Sequence, residues 1–312
     1  MGSGLEGGVV SRIANPQEWG PALTFLFGHL PPRERREQVK DLLKQVAEGE
    51  LSLAGLVVAE SEPTAGGAAG YRGVMLTVLQ KDGTAMIFPP VLAEITDRKT
   101  AEGLLHKTTE WFETSGGKLA QCLIEQNDHL FAEVLAGVGY PRLAELVFLK
   151  RELEDLPPLE NGDLASVNYS AETHDEFVAT LGETYIDSRD CPALSSARSA
   201  EEALSGHREA GKFLPEQWTV YRKNGESIGL SILTEHTDAG LWELVYLGLR
   251  PAFRGQGFAR KILIAGLHQA RNAGMSAMTL AVDAANEPAI RLYAAAGFFE
   301  VLRKQAHLRV RN

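Results

Sequence analysis

The sequence predicts a mixed α/β fold in two tandem copies, each a mixed, mostly antiparallel central sheet flanked by helices. Three observations carry this. Helical and strand periodicities alternate along the chain in an order that occurs twice. Gly139-Tyr140 and Gly297-Phe298 close comparable helices 158 residues apart, and the same offset sets Leu123-Ile-Glu125 under Ala281-Val-Asp283 and Leu105 under Leu263. Between the halves, residues 154–163 hold Pro157-Pro158 and Asn161-Gly162 and read as a linker. The expected layout is a flexible glycine-rich N-terminus at 1–8, a first copy at 9–153, the linker at 154–163 and a second copy at 164–312.

In the first copy, 17–27 reads as a helix, broken by Pro31-Pro32. A second helix at 33–48 carries Val39, Leu42, Leu43 and Val46 on one face and charges on the other. A strand at 51–60 is followed by a small, polar turn region at 61–70. Strands at 71–79 and 85–92 form a hairpin around Lys81-Asp-Gly83. Then come a helix at 100–114, a strand at 118–125, a helix at 128–137 and a strand at 144–150.

The second copy repeats the order. A strand at 164–169 precedes helices at 171–185 and 200–210, split by a loop at 187–196. Strands at 218–222 and 227–233 flank Asn224-Gly225, a strong hairpin signal. A mostly apolar strand, 241–249, leads into Arg250-Pro-Ala-Phe-Arg-Gly-Gln-Gly257, and an amphipathic helix at 258–273 leads out. After a strand at 279–283, Asn286 is an N-cap, Pro288 sits in the first turn and Gly297 stands where a C-cap belongs. A last strand covers 301–310.

A strand, an Arg/Gly-rich turn and a helix together make a device for holding phosphate. Gly255 and Gly257 permit backbone conformations that aim N–H groups at one anion, and the helix N-terminus adds partial positive charge. Arg254 and Arg260 add full charges. The turn lacks the Gly-Lys-Ser/Thr of a P-loop and the third glycine of a dinucleotide fingerprint. The residues downstream make it more specific. Arg254-x-x-Gly257-x-Ala259, then Asn286-x-x-Ala289-x-x-x-Tyr293-x-x-x-Gly297-Phe298, resembles the GNAT family of acetyl-CoA-dependent N-acyltransferases, over about residues 163–312.

The resemblance implies an acetyl-CoA donor and direct transfer to a primary amine, with no acyl-enzyme. It implies that Leu247 and Leu249 contribute backbone groups to the donor's arm. It also implies that Arg254, Gly255, Gln256, Gly257, Phe258 and Ala259 line the pyrophosphate, and that Asn286 contacts the arm. Tyr293 matches a tyrosine that protonates the leaving sulfur; its bland alternative is a packed core aromatic. Glu243 resembles the carboxylate base that acyl transfer to a protonated amine requires; its alternative is an edge carboxylate in water or an ion pair. Strand alternation puts Glu243 on one face with Val245, Leu247 and Leu249, and Tyr246 on the other, in the core. Tyr185, Asp187 and Asp190 lie where relatives shape the acceptor side, and with Glu243 they would make a negative cleft for a cationic amine.

The offset also shows what the first copy has lost. Under the phosphate loop lies Thr96-Asp-Arg-Lys-Thr-Ala101; under Leu247-Gly248 lie Pro89-Pro90, which have no N–H to give; under Tyr293 lies Leu135 and under Glu243 lies Ala85. The first copy is expected not to catalyse. It either supports the second copy or forms one wall of the acceptor cleft.

Composition narrows the partners. The net charge of −10 argues against a general nucleic-acid binder. No apolar run approaches a membrane span and no charged-then-apolar leader opens the chain. Cys122 and Cys191 are the two cysteines, far apart, and suit a reducing cytoplasm. Cys191 reads as a loop cysteine, and His207 and His236 as surface residues. No His/Cys/carboxylate spacing suggests a metal. The expected partner is a small-molecule amine, with neither nucleic acid nor membrane, and the chain is expected to be a monomer or homodimer. Two other readings stay open: a protein or peptide N-acetyltransferase, and a non-catalytic acyl-CoA sensor.

Overall fold

The computed structural model of the chain describes residues 9–61, 70–159, 164–192, 194, 199–236 and 240–311. The expected flexible segment 1–8 lies outside them, as do parts of the expected linker and of the turn regions at 61–70 and 187–196. The described chain divides into two compact units. Unit 1 comprises Met1–Arg142 and Gln305–Asn312, and unit 2 comprises Leu143–Lys304.

Unit 1 holds strands β1 (Val9–Ile13), β2 (Gly55–Ser61), β3 (Tyr71–Leu79), β4 (Thr84–Ile87), β5 (Val91–Leu92) and β6 (Leu119–Glu125). Its helices are α1 (Trp19–Leu26), α2 (Pro32–Ala47), α3 (Arg98–Thr114) and α4 (His129–Gly137). The sheet order is β1-β2-β3-β4-β6, with β4 and β6 parallel and β5 paired to β3. The expected strand 85–92 is split, because neither Pro89 nor Pro90 has an N–H for a ladder. Both faces of β2 are covered. Val57 and Ala59 pack with α3 and α4, while Leu56 and Val58 pack with α1 and α2.

Asp97, which the offset places at the phosphate-loop position, is the N-cap of α3. Its carboxylate accepts from Thr100 N–H (3.0 Å) and Thr100 Oγ1 (2.6 Å). The offset holds to within a residue: Ala85 pairs with Ala120 in unit 1, and Glu243 with Thr279 in unit 2.

Unit 2 begins with β7 (Arg142–Glu152, from Leu143 on), followed by β8 (Ala165–Asn168), α5 (His174–Tyr185) and α6 (Ala200–Arg208). Then come β9 (Trp218–Lys223), β10 (Glu226–His236), β11 (Leu241–Leu249), α7 (Phe258–Asn272), β12 (Ala277–Asp283), α8 (Glu287–Ala295) and β13 (Phe299–Val310). The sheet order is β7-β12-β11-β10-β9-β8, antiparallel except for β11 with β12. Phe177 and Leu181 of α5 and Ala203 and Leu204 of α6 pack on one face against Trp218, Val220, Leu230 and Ile232. Leu263, Ile264 and Leu267 of α7 pack with Trp242, Leu244, Met278 and Leu280.

The units depart from the expected sequence boundaries. Periodicity assigns β7 to the first copy, yet it pairs antiparallel with β12 over Leu146–Glu152. Periodicity likewise assigns the end of β13 to the second copy, yet residues from Gln305 on belong to unit 1. There the Gln305 side chain donates to Gln126 O (2.9 Å), Leu308 N–H to Pro141 O (3.1 Å) and Arg311 N–H to Lys118 O (2.8 Å). The residues after Gly139-Tyr140 and those at the chain's end thus fall in other units than periodicity assigns them to.

Candidate active site

The site follows from one irregularity in β11. Tyr246 pairs with Ile232 and Leu244 with Leu233, so Val245 is an extra residue in the strand. Such a bulge bends the strand and shifts its side-chain alternation by one. Trp242, Leu244, Leu247 and Leu249 pack on the α7 side, whereas Val245 and Tyr246 pack toward α5 and α6. A Cβ at Gly248 would strike Tyr246 and Thr184, so Gly248 also faces α5. Plain alternation assigns Glu243 to the face of Leu247 and Leu249 and Tyr246 to the opposite face. The bulge corrects the first assignment: Glu243 and Val245 lie on the Tyr246 side, while Tyr246 stays opposite Leu247 and Leu249.

The bend also parts β11 from its parallel neighbour. Pairing with β12 stops at Glu243↔Thr279. Beyond it the strands diverge, and a cleft of about 680 Å³ opens between Leu244–Leu249 on one lip and Ala281 and Val282 on the other. The backbone groups of this part of β11 that would have paired with β12 are left available on the cleft side.

At the mouth of the cleft stands the glycine turn. Gly255 and Gly257 have φ of +73° and +83°, and a Cβ on either would meet nothing within 4 Å. Glycine is needed here for its backbone conformation, and the space in front of it is open. Lys261 N–H is the first in α7 to bond back, to Gly257 O (3.3 Å). The N–H groups of Phe258, Ala259 and Arg260 thus have no place in the helical ladder and point out of its positive end. Phe258 is 7% exposed and packs with Tyr221, Leu249 and Ile262, so its side chain anchors the helix start. Gln256 turns its amide to Ala252 O (2.8 Å) and does not line the cleft.

Arg254 lines the cleft, but its guanidinium is engaged elsewhere. Nε donates to Leu249 O (3.0 Å), Nη1 to Asp187 O (3.1 Å), and Nη2 to Thr184 O (2.9 Å) and Ile186 O (2.7 Å). These bonds tie down the end of α5 and the residues after it, so the charge expected at a phosphate is turned here toward backbone carbonyls.

Tyr293 lines the cleft from α8, 7% exposed, with its ring 5.7 Å from that of Phe298. Burial pushes its phenol well above the usual tyrosine range, and the nearby Asp190 adds to the effect. Asn286 is the N-cap of α8, accepting from Ala289 N–H (3.4 Å), and its side chain also hydrogen-bonds Asp190. Asp190 accepts from Asp283 N–H (3.0 Å), and burial, with a smaller contribution from Asp283, raises its carboxyl above the usual range. Asp187, at φ +53°, lines the cleft with Asp190.

Besides Gln256 and Phe258, two more expected residues stand off the cleft lining. Tyr185 packs edge-on against Tyr246 (5.7 Å between centroids). Glu243 sits at the last paired position before the strands part, and one of its carboxylate oxygens lies 2.7 Å from His236 Nε2. Reading His236 as a surface residue misses this partnership. Tyr246, which alternation leaves in the core, is a cleft residue and shares a hydrogen bond with Thr184 Oγ1 (2.7 Å). Asp283, 6% exposed, also escapes the sequence reading; a charged residue closing an apolar strand is the available signal. Among the described residues no group of three or more His, Cys, Asp or Glu is placed to hold a metal, and no helix is long and apolar enough to cross a membrane.

The cleft thus brings together a splayed pair of parallel strands, a glycine turn at a helix start and a buried tyrosine facing the gap. Residues 185–298 match the Acetyltransferase (GNAT) family, and the chain therefore carries a GNAT acetyltransferase domain. Its relatives include a mycothiol acetyltransferase of Thermomonospora curvata, 31% identical over 173 residues, or 54% of this chain and 56% of the relative. The chain thus spans about half the length of that relative.

Solved structures share the fold along nearly the whole chain. A GCN5-related N-acetyltransferase from Sphaerobacter thermophilus aligns with TM-score 0.64 and 17% identity, over 97% of this chain and 95% of that one. A tandem GNAT protein from the clavulanic acid biosynthesis pathway aligns with TM-score 0.52 and 15% identity, over 97% and 98%. The tandem α/β fold is that of GNAT proteins.

Proposed function

We propose that unit 2 transfers an acetyl group from acetyl-CoA to a primary amine of a small molecule. The observation that carries this is the parting of β11 and β12 beyond Glu243, which leads from a buried tyrosine to the open glycine turn. A thioester arm suits that gap, since the backbone of Leu247 and Leu249 offers it ladder-type hydrogen bonds. A pyrophosphate suits the turn, where the N–H groups from Gly255 to Arg260 and the α7 dipole stabilise negative charge.

In this reading Glu243 accepts the amine's proton through water, assisted by His236. The amine nitrogen bonds to the thioester carbonyl carbon, giving a tetrahedral oxyanion that backbone N–H groups of β11 stabilise. The C–S bond then breaks, Tyr293 gives its proton to the departing thiolate, and the proton still in excess on the acylated nitrogen leaves through water to restore the tyrosine. Its raised pKa keeps that proton in place at neutral pH. The products are the N-acetylated amine and CoA.

The small-molecule acceptor is supported by the relative named for mycothiol. Asp187 and Asp190 at the cleft supply the negative charge that a cationic amine needs. Unit 1, with Asp97 capping α3 at the counterpart of the glycine turn, is non-catalytic in this reading.

Calorimetric titration with acetyl-CoA tests it. One site per chain is expected, lost in Gly257→Glu, followed by thiol release with an amine acceptor. Two sites would make unit 1 a working copy, and no binding would remove the transferase reading.

A further inference from the structure

The loop between α5 and α6 is bolted to both lips of the cleft. On the β11 side, Arg254 holds the carbonyls of Thr184, Ile186 and Asp187 with its guanidinium fork, while Nε is fixed to Leu249 O. On the β12 side the contacts are reciprocal: Asp283 N–H donates to Asp190 Oδ1 (3.0 Å), and Cys191 N–H donates to Asp283 Oδ2 (3.2 Å). Between these anchors the backbone is strained at two non-glycine residues, Asp187 (φ +53°) and Cys191 (φ +43°). A left-handed residue persists where its surroundings hold it, and here the surroundings are the two lips.

We propose that Arg254 and Asp283 are positioning residues that make residues 186–191 a strap across the cleft, coupling donor binding to the acceptor side. The proposal rests on the acetyl-CoA reading above. An arm inserted between β11 and β12 fixes the separation of the two anchors. The strap, and with it Asp187 and Asp190, is then held in one geometry. Donor binding thus organises the acceptor wall, and by linkage acceptor binding tightens the donor. The fork matters more than the charge, because one lysine ammonium cannot reach carbonyls of three residues together with Leu249 O.

Hydrogen exchange of the full chain, with and without CoA, tests this. In the wild type, CoA is expected to slow exchange of amides 186–191 about tenfold, the signature of a suppressed local opening. In Arg254→Lys those amides exchange faster without ligand, and CoA no longer protects them, while CoA affinity by calorimetry stays within about threefold because backbone N–H groups and the α7 dipole, not this side chain, face the pyrophosphate. Asp283→Asn, whose amide keeps one acceptor oxygen, is expected to give the same pattern more weakly.

Equal CoA protection of the strap in wild type and Arg254→Lys would overturn the coupling. So would a large loss of CoA affinity in Arg254→Lys with unchanged strap exchange, which would make Arg254 a phosphate ligand. If wild type bound no CoA, the acetyl-CoA reading and the coupling would both fall; strap exchange left unchanged by Arg254→Lys in the ligand-free protein would sink the bolting alone.

Discussion

Glu243 and His236 stand on neighbouring antiparallel strands with carboxylate oxygen and imidazole Nε2 2.7 Å apart, beside the point where β11 and β12 part. A base for amine activation needs a steady orientation and a route for its proton, and the imidazole offers both. Glu243→Gln is expected to lower kcat by roughly 10²–10⁴ with acetyl-CoA affinity unchanged, as for an essential acid–base group. His236→Gln keeps the carboxylate and is expected to cost about tenfold or less, near the low end of such effects. Thiol-release kinetics on both variants decide the matter, and an unimpaired Glu243→Gln would make the pair a surface salt bridge.

Tyr293→Phe is expected to lower kcat about 10²-fold or more while leaving the melting temperature within a few degrees, since the ring and its packing on Phe298 remain. Burial favours the neutral phenol, so the acid stays protonated well past the ordinary tyrosine pKa of about 10. The rate of wild type is therefore expected to show no alkaline decline from this group up to about pH 10. A fall in kcat between about pH 8 and 9 that vanished in Tyr293→Phe would contradict that.

Asp190 carries a stability signature. Its folded pKa is raised by burial, which outweighs the hydrogen bonds from Asp283 N–H and Asn286, so its favourable contribution is complete below the unfolded value and is lost as pH rises through the folded one. The ionised form of the carboxylate is thus the one that folding disfavours. Asp190→Asn keeps an acceptor for Asp283 N–H and is expected to melt at or above wild type at about pH 7, with the difference closing toward about pH 4. Thermal melts across that range check the sign, and a variant destabilised equally at every pH would refute it.

Cys191 is expected to be inert. Burial, helped by Asp190 and Asp283, pushes its thiol up to about 12. The thiolate is the reactive form, so alkylation at neutral pH should be far slower than for a free thiol of pKa about 8.5. Mass spectrometry after iodoacetamide treatment near neutral pH is expected to leave Cys191 largely unmodified; rapid labelling there would show the thiol to be reactive and contradict this.

Much of this site is legible in the chain. Asn286, Pro288 and Gly297 punctuate α8 by capping rules that act within a few residues, and they place Tyr293 without any tertiary information. The glycine turn is legible because two φ values above +70° demand the residue that supplies them. The face of Glu243 is misread by alternation because the bulge at Val245 depends on how β10 and β11 pair, not on the composition of β11. Residue type alone suggests a ligand's role for Arg254; only the fold brings carbonyls of the α5 end, almost seventy residues earlier in the sequence, within reach of its fork. Asp283 escapes notice for the same reason, since its partners Asp190 and Cys191 arrive from a distant loop.

That unit 1 is completed by Gln305–Asn312 has a consequence for biosynthesis. Unit 1 is translated up to Arg142 first, yet Gln305–Asn312 leave the ribosome only after the whole of unit 2. Until they emerge, β6 lacks the partner that ties Lys118 O to Arg311 N–H, and a strand edge with unused hydrogen-bonding groups waits in the nascent chain. Deleting Gln305–Asn312 would thus injure the part of the protein made earliest, while the unit that carries the cleft kept its strands from β7 to β12. Cutting the chain at the apparent boundary near residue 153 would do more harm on both sides, leaving one piece with a surplus strand and the other with a missing one.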